Sequence, residues 1–177
     1  PLTGRMKQDL FAWPEVAGDV NIHGPKSALI PSAVAGYALL HERFGKLPVK
    51  DVLAPAIALA KRGLAQDWFT TLKVANSASV LRLYEESARI YLPGGLPPVP
   101  PYQGKPGFFR LGRLADTLER LAHAGLRDFY AGDVARELTA DMAAMEGFVA
   151  AGDLRDCTAR FVPAMEATHR GRRLMLA

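Results

Sequence analysis

Residues 28–63 read ALIPSAVAGYALLHERFGKLPVKDVLAPAIALAKRG, and this stretch decides the fold class. Alanine, leucine and other helix-forming residues fill it, while prolines and glycines divide it into short segments. Ser32 is suited to cap a first helix, and Gly45 is suited to end it. Apolar residues recur on one face of this helix at the helical spacing, namely Ala33, Tyr37, Leu40 and Phe44.

The second half of the stretch predicts another helix, beginning near Pro48 and ending at Gly63. Pro55 stands inside it, lacks an amide donor and clashes with the preceding turn. We therefore expect two short pieces here, residues 49–53 and residues 56–62.

The following residues continue the helical pattern. Asp67 is placed to cap a further turn or two, and Ser77 or Ser79 to begin a helix that Pro93 ends. Residues 113–124 predict a clean amphipathic helix, because leucines form one apolar stripe and a glycine follows.

Two more helical segments are expected near the C-terminal end. Asp133 is placed to cap a helix that Gly147 ends, and Asp153 to cap one more short turn. The first of these helices has an apolar face made of Ala135, Leu138, Met142 and Met145.

Regular helical spacing is absent from both ends of the chain. Residues 1–26 predict irregular structure, with a short turn at 9–11. Residues 160–168 and 172–176 predict a hairpin, with Gly171 supplying the positive-φ turn position. The fold class is therefore mainly α, with a short β-hairpin at the C-terminal end.

The segment 93–110 contains six prolines and four glycines, so it can neither continue a helix nor form a central strand. It predicts a long surface loop with polyproline character. Two interpretations are open: a docking segment for an aromatic groove, or an insertion. The insertion is favoured, because proline-rich loops are common and recognition motifs are short.

Composition limits the function classes. A chain of 177 residues fits one domain, 1–177, and can bury a real core. The formal net charge of +4 comes from basic residues scattered among acids, which argues against a nucleic-acid partner. No apolar run approaches the length of a membrane span, so no membrane partner is expected either.

The search for chemical motifs finds no phosphate loop, dinucleotide fingerprint or zinc-protease motif, and we expect neither a cofactor nor a metal. The histidines, at positions 23, 41, 123 and 169, lack metal-ligand spacing. The single Cys157 excludes an internal disulfide and is interpreted as a small, half-buried core residue.

Several of these segments resemble the gamma-glutamyltransferase family. In residues 28–63 the likeness lies in the turn after Pro31, the Phe44–Gly45 pair that follows a helix, and the Pro-Ala-Ile-x-Leu-Ala helix closed by Gly63. Further along, Leu-Ala-x-Thr-Leu at 114–118 and Phe-Tyr-x-Gly at 129–132 match the family in order and spacing. Later matches in the same order are Gly147, Asp153-Leu154, Pro163 and Arg170-Gly171.

The resemblance implies a helical lobe from the large subunit of an N-terminal-nucleophile hydrolase, whose full fold has α/β/β/α layers. In such enzymes a precursor cleaves itself, and the new N-terminal threonine attacks a gamma-glutamyl amide, its free amine serving as base. That threonine is expected beyond Ala177, and the arginine that holds the substrate carboxylate just before Pro1. The chain, which starts without a methionine, is thus expected to be an internal fragment.

The resemblance assigns no catalytic, cofactor-binding or metal-binding residue to this sequence. Thr70-Thr71 imitates the threonine pair that opens the catalytic subunit, but Leu72 follows where that family has a histidine. The expected partners are the rest of the precursor, including the small subunit with its N-terminal threonine, and a small gamma-glutamyl substrate of the glutathione type. The compartment stays open between bacterial periplasm and cytoplasm.

Three functions are compatible with these patterns. The first is part of a gamma-glutamyl transferase or hydrolase, inactive by itself. The second is a non-catalytic helical scaffold or interaction module with the same fold, and the third, least favoured, is a basic helical nucleic-acid binder. Because the hairpin lacks a larger sheet to join, we also expect self-association through residues 160–177.

Overall fold

A computed structural model describes residues 16–176. Its body is helical, as the sequence predicts. The helices are α1 (Ala33–Phe44), α2 (Val49–Arg62), α3 (Trp68–Leu81), α4 (Glu85–Tyr91), α5 (Leu114–Ala124), α6 (Asp128–Ala131), α7 (Asp133–Ala144) and α8 (Ala151–Arg155). The strands are β1 (Leu64–Ala65), β2 (Phe108–Phe109), β3 (Met165–His169) and β4 (Arg172–Leu176).

The segment before α1 contains short 3-10 turns at Ala17–Asp19 and Pro25–Ser27, with irregular backbone between them. Over residues 16–26 this agrees with the irregular structure expected for residues 1–26. The short turn expected at 9–11 lies outside the described residues. Within residues 16–176 no helix combines the length and apolar character needed to cross a membrane.

Helix α1 begins after Ser32 and ends before Gly45, so both predicted limits are confirmed. The expected capping roles differ. The Ser32 side chain makes no capping hydrogen bond, and Gly45 has φ −65° rather than a left-handed conformation. A side chain at Gly45 would collide with the carbonyl oxygen and ring of His41, so close packing is what requires glycine there.

Helix α2 is continuous through Pro55, and the prediction of two pieces is wrong. The missing amide removes one hydrogen bond, and the proline ring is exposed. The half-buried residues Leu53, Ile57 and Ala60 recur along α2 at the helical spacing, and α2 packs against α5. Packing along the whole length of α2 therefore outweighs the local cost of proline. Gly63, at φ 101°, ends the helix as predicted.

The boundary between α3 and α4 also differs from the prediction. Asp67 caps α3 as expected, but α3 continues through both Ser77 and Ser79, so neither begins a helix. Helix α3 ends at Leu81. Helix α4 starts at Glu85 and ends before Pro93. Val74 and Ala78 of α3 are buried together with Leu92 in a small core cluster, which stabilises the longer helix.

A short antiparallel pairing joins two distant segments. β1 pairs with β2, with Leu64 opposite Phe109 and Ala65 opposite Phe108. β2 lies within residues 93–110, which were expected to be loop throughout, so the end of that prediction is wrong. The rest of the predicted loop is confirmed: a 3-10 turn at Pro93–Gly95 is followed by irregular backbone over residues 96–107. Two-residue strands so far apart in sequence leave no periodic signal to detect.

The main core lies where α6, α7 and α8 meet the segment before α1. Leu154 and Val149 are 0% and 1% exposed. Cys157 is also buried, which confirms its assignment to the core. The buried members of this cluster are Ile30, Tyr130, Ala135, Val149, Leu154 and Cys157.

Helix α7 ends in a Schellman motif rather than at a glycine. The N–H of Gly147 donates to the carbonyl of Met142 at 2.7 Å, and that of Glu146 to Ala143 at 3.2 Å. Glu146 adopts the left-handed conformation, at φ 56°, that glycine usually supplies. Gly147 follows one residue later, so the predicted end is displaced by a few residues.

The two predicted aspartate caps near the C-terminal end are both displaced. Asp133 is the first residue of α7 rather than the residue before it. Asp153 is the third residue of α8, and its carboxylate accepts the N–H of Ala150 at 2.9 Å. An acidic residue in the first turn stabilises a helix from either position, so the sequence pattern does not distinguish them.

The C-terminal hairpin is confirmed, with a later first strand than expected. β3 and β4 pair antiparallel, His169 facing Arg172 across the turn. Arg170 and Gly171 form the turn with φ 49° and 73°, both positive as in a type I′ turn.

Candidate functional site

The threonine pair is part of a helix start. Thr70 and Thr71 lie in the first turn of α3, where the Asp67 carboxylate accepts the Thr70 N–H at 2.7 Å. This backbone hydrogen bond lowers the pKa of Asp67. The Thr71 hydroxyl lies 2.9 Å from the Asp67 carbonyl and 2.6 Å from that of Pro98. Both threonines therefore take part in the first turn of α3, and Thr71 also joins it to the loop.

The same contact fixes the proline-rich loop. Pro98 is buried, and Arg82 Nη2 donates to the Gly95 carbonyl at 3.1 Å. Leu96, Val99 and Tyr102 are exposed. The loop is therefore anchored to α3 at Pro98.

The histidines are dispersed in the structure. His23 Nδ1 lies 2.7 Å from the Tyr84 hydroxyl, and His41 Nε2 lies 2.8 Å from the Leu47 carbonyl. His123 and His169 are exposed on α5 and β3. Among residues 16–176, no three His, Cys, Asp or Glu side chains gather closely enough to hold a metal ion.

Asp128 accepts hydrogen bonds from three other residues, and the sequence analysis did not identify it. Its carboxylate accepts Arg120 Nη2 at 2.8 Å and Arg120 Nε at 3.2 Å. It also accepts the N–H groups of Asp133 at 3.3 Å and Val134 at 3.2 Å, at the start of α7. Asp128, one turn upstream, thus caps the helix that Asp133 was expected to cap.

The surroundings of Asp128 keep its carboxylate ionised and hydrogen-bonded. Hydrogen bonds from the Arg120 guanidinium hold the pKa of Asp128 below its usual range, and Asp128 in turn raises the pKa of Arg120. A side chain at Gly132 would collide with the Asp128 carboxylate. In the sequence, the only sign of this cap is the spacing of Asp128 and Gly132, four residues apart. A carboxylate with four donors has a structural role and is a poor general base.

Tyr130 connects the same turn to α1. Its hydroxyl donates to the Pro31 carbonyl and accepts the N–H of Ala35, both at 2.8 Å. Tyr130 is 2% exposed, and burial raises its pKa. Ala35 is the third residue of α1, so Tyr130 supplies the N-terminal cap that Ser32 does not.

An apolar groove of about 560 Å³ lies between α1, α2 and α5. The predicted apolar face of α1 lines it instead of being buried, with Tyr37 64%, Leu40 50% and Phe44 62% exposed. The lining residues are Val34, Tyr37, Leu40, His41, Phe44, Gly45, Val49, Val52, Leu53, Leu118, Leu121 and Leu126. This surface has the composition of a core rather than of a catalytic pocket, since few polar groups converge on it.

Comparisons with known proteins agree with this picture. The family model described as Gamma-glutamyltranspeptidase matches residues 3–177. The chain is 34% identical over 166 residues to a glutathione hydrolase proenzyme of Pseudomonas aeruginosa, covering 92% of this chain and 28% of that protein. It is 31% identical over 152 residues to the acylase ACY 1 proenzyme of Pseudomonas sp. (strain V22), covering 85% of this chain and 26% of that protein.

Solved structures show the same fold. The Helicobacter pylori gamma-glutamyltranspeptidase superposes with a TM-score of 0.88 at 22% identity, covering 99% of this chain and 50% of that one. The Pseudomonas nitroreducens gamma-glutamyltranspeptidase complexed with L-DON gives a TM-score of 0.87 at 26% identity, covering 100% of this chain and 51% of that one. The chain thus spans about a quarter of the length of its curated relatives and half of these solved chains. It belongs to the gamma-glutamyltranspeptidase family.

Proposed function

We propose that this chain is the helical lobe of a gamma-glutamyl transferase or hydrolase acting on glutathione-type substrates. In this proposal the lobe has a scaffolding role. The nucleophilic threonine and the carboxylate-binding arginine lie in other parts of the precursor. The family match over residues 3–177 supports the parent activity. One relative is named a glutathione hydrolase and another an acylase, so attack on an amide carbonyl is the chemistry that their names share.

The observation that carries the scaffold role is the groove between α1, α2 and α5. A row of half-exposed aromatic and aliphatic side chains such as Tyr37, Leu40 and Phe44 is costly in water and marks a surface made to be covered. The proposed cover is the remainder of the precursor, including the subunit that begins with threonine. The polar centres at Asp128 and Tyr130 fit the same role, because their hydrogen bonds hold helices together.

A chimera tests the proposal. Residues 3–177 would replace the matching segment of the Pseudomonas aeruginosa glutathione hydrolase, and release of p-nitroaniline from gamma-glutamyl-p-nitroanilide would be measured. The chimera should cleave itself and turn over, while the purified 177-residue chain should not. Its matched control carries Leu40→Glu and Phe44→Glu, which should block maturation by placing charges in the groove.

Three results would contradict parts of the proposal. Turnover by the purified 177-residue chain, free of host enzyme, would place the chemistry within this sequence. A chimera that folds and cleaves itself but cannot turn over would favour the alternative of a scaffold that does not support catalysis. Normal maturation of the variant with Leu40→Glu and Phe44→Glu would show that the groove is not the interface with the rest of the precursor.

A further inference from the structure

His41 of α1 brings a polar ring into the apolar groove between α1, α2 and α5. Among the described residues that line this groove, only His41 and Tyr37 have polar side chains. His41 is half-buried, whereas Tyr37 is 64% exposed. The imidazole is therefore the more enclosed of the two polar groups.

One nitrogen of this ring is committed to the turn that joins α1 to α2. Nε2 lies 2.8 Å from the Leu47 carbonyl oxygen, which only accepts hydrogen bonds, so Nε2 carries the hydrogen. Nδ1 of the neutral ring is then an acceptor. The Nε2–Cδ2 edge faces Gly45, and Nδ1 makes no hydrogen bond within residues 16–176. The ring therefore presents an unused acceptor beside an apolar surface.

This acceptor sets a requirement on whatever covers the groove. While the groove is open, water can bond to Nδ1. A purely apolar cover would remove that water and leave Nδ1 without a donor, which opposes binding. A cover that fits the groove therefore carries a donor at this point.

The course of the chain indicates which segment lies close enough to be that cover. Phe161 packs edge-on against Phe44, which lines the groove, with their ring centroids 5.8 Å apart. β4 returns antiparallel to β3 and places Leu176 beside Met165, four residues after Phe161. The chain after β4 thus starts within about 20 Å of Phe161, because four residues span at most about 14 Å and paired strands lie about 5 Å apart.

We propose that the segment following residue 177 in the precursor covers the groove and donates a hydrogen bond to His41 Nδ1 from a hydroxyl, an amide or a backbone N–H. This inference rests on the proposed function, which requires such a precursor. It adds that the cover is an apolar segment with one donor facing α1. A single polar contact inside an apolar interface fixes the register of the two surfaces, which is the role assigned to His41.

Two substitutions of nearly equal shape test the contact in the complete reading frame that contains this chain. Both lose the bond to Leu47. His41→Asn places an amide oxygen near the position of Nδ1, and His41→Leu places a methyl group there. We expect self-cleavage, followed on gels, to be at least about tenfold faster in the asparagine variant, because only the leucine variant leaves the donor of the cover unpaired.

A groove without this contact predicts the opposite order. Leucine is the better helix former and gains more from burial than asparagine. Self-cleavage of His41→Leu that equals or exceeds that of His41→Asn therefore overturns the inference. The isolated 177-residue chain is the control, since its groove is open. There, a thermal midpoint higher for His41→Asn than for His41→Leu would assign the difference to α1 itself and also overturn the inference.

A direct observation of His41 separates this inference from the proposed function. Nitrogen NMR of histidine-labelled protein reports whether Nδ1 accepts a hydrogen bond, and His41 is assigned by the loss of its signal in His41→Asn. We expect the Nδ1 resonance to move upfield between the 177-residue chain and the complete protein.

The outcomes are distinct. An unmoved resonance in a complete protein that cleaves itself overturns the inference alone. A moved resonance in a complete protein that neither cleaves itself nor turns over gamma-glutamyl-p-nitroanilide overturns the proposed function alone. A reading frame that ends with this chain overturns both.

Discussion

Arg120 of α5 holds Asp128 of α6 through two hydrogen bonds, of 2.8 and 3.2 Å, while the Asp128 side chain is only 6% exposed. The same carboxylate caps α7, so one side chain fixes three consecutive helices. Asp128→Asn should destabilise the fold by about 2–3 kcal/mol, because it weakens charge-assisted hydrogen bonds at a buried position. Urea unfolding followed by circular dichroism measures this loss.

The control is Asp116→Asn, at an exposed residue 3.7 Å from Arg113. Surface ion pairs contribute little, so this change should stay within about 0.5 kcal/mol of the original. If the two variants lose comparable free energy of unfolding, the buried position of Asp128 adds nothing to its contribution.

Acid should remove the contribution of Asp128. Its pKa is depressed in the folded state, so its stabilisation is fully present above the unfolded value of about 3.9 and is lost as pH falls through the folded pKa. The free energy of unfolding of the original chain should therefore approach that of Asp128→Asn between pH 5 and the acid limit. Urea titrations at several pH values test this, and a difference that stays constant with pH would contradict it.

Glu146→Gly should stabilise the chain. Glu146 adopts φ 56°, a conformation that costs an L-residue about 1 kcal/mol and costs glycine nothing. Its ion pair with Lys26, at 3.5 Å, is exposed and contributes little. We expect the thermal midpoint to rise in Glu146→Gly. It should not rise in Glu146→Ala, which removes the ion pair but keeps the strain. A lower midpoint for the glycine variant would indicate that the ion pair dominates.

Tyr130→Phe should cost about 1–3 kcal/mol, because it leaves the Ala35 N–H and the Pro31 carbonyl without their partner. Tyr37→Phe is the matched control, since Tyr37 is exposed in the groove and should change the free energy by less than about 0.5 kcal/mol. Chemical denaturation of the two variants compares them directly, and equal effects would remove the capping role of Tyr130.

Helix ends with a local signal were predictable from the sequence. Gly63 and Gly125 adopt φ 101° and 91°, and both end helices where the sequence places them. Asp67 likewise caps α3 through a residue three positions away. The hairpin was predictable for the same reason, because its turn chemistry lies within neighbouring residues.

Features that depend on distant residues were not predictable. Pro55 was expected to break α2, but packing against α5, far along the chain, keeps the helix whole. The Asp128 cap needed the fold to bring a turn and a helix start together. The apolar face of α1 was visible in the sequence, but its position on an open groove was not, since periodicity shows which face is apolar and not what covers it.

The long-range bond of Tyr130 has a consequence for synthesis on the ribosome. Pro31 and Tyr130 are separated by 99 residues, so α1 emerges well before the hydroxyl that completes its N-terminus. At about 5–20 residues per second, that interval lasts roughly 5–20 s. During this time α1 lacks the hydroxyl that completes its N-terminus, so its first turn should become stable only after residue 130 has left the ribosome.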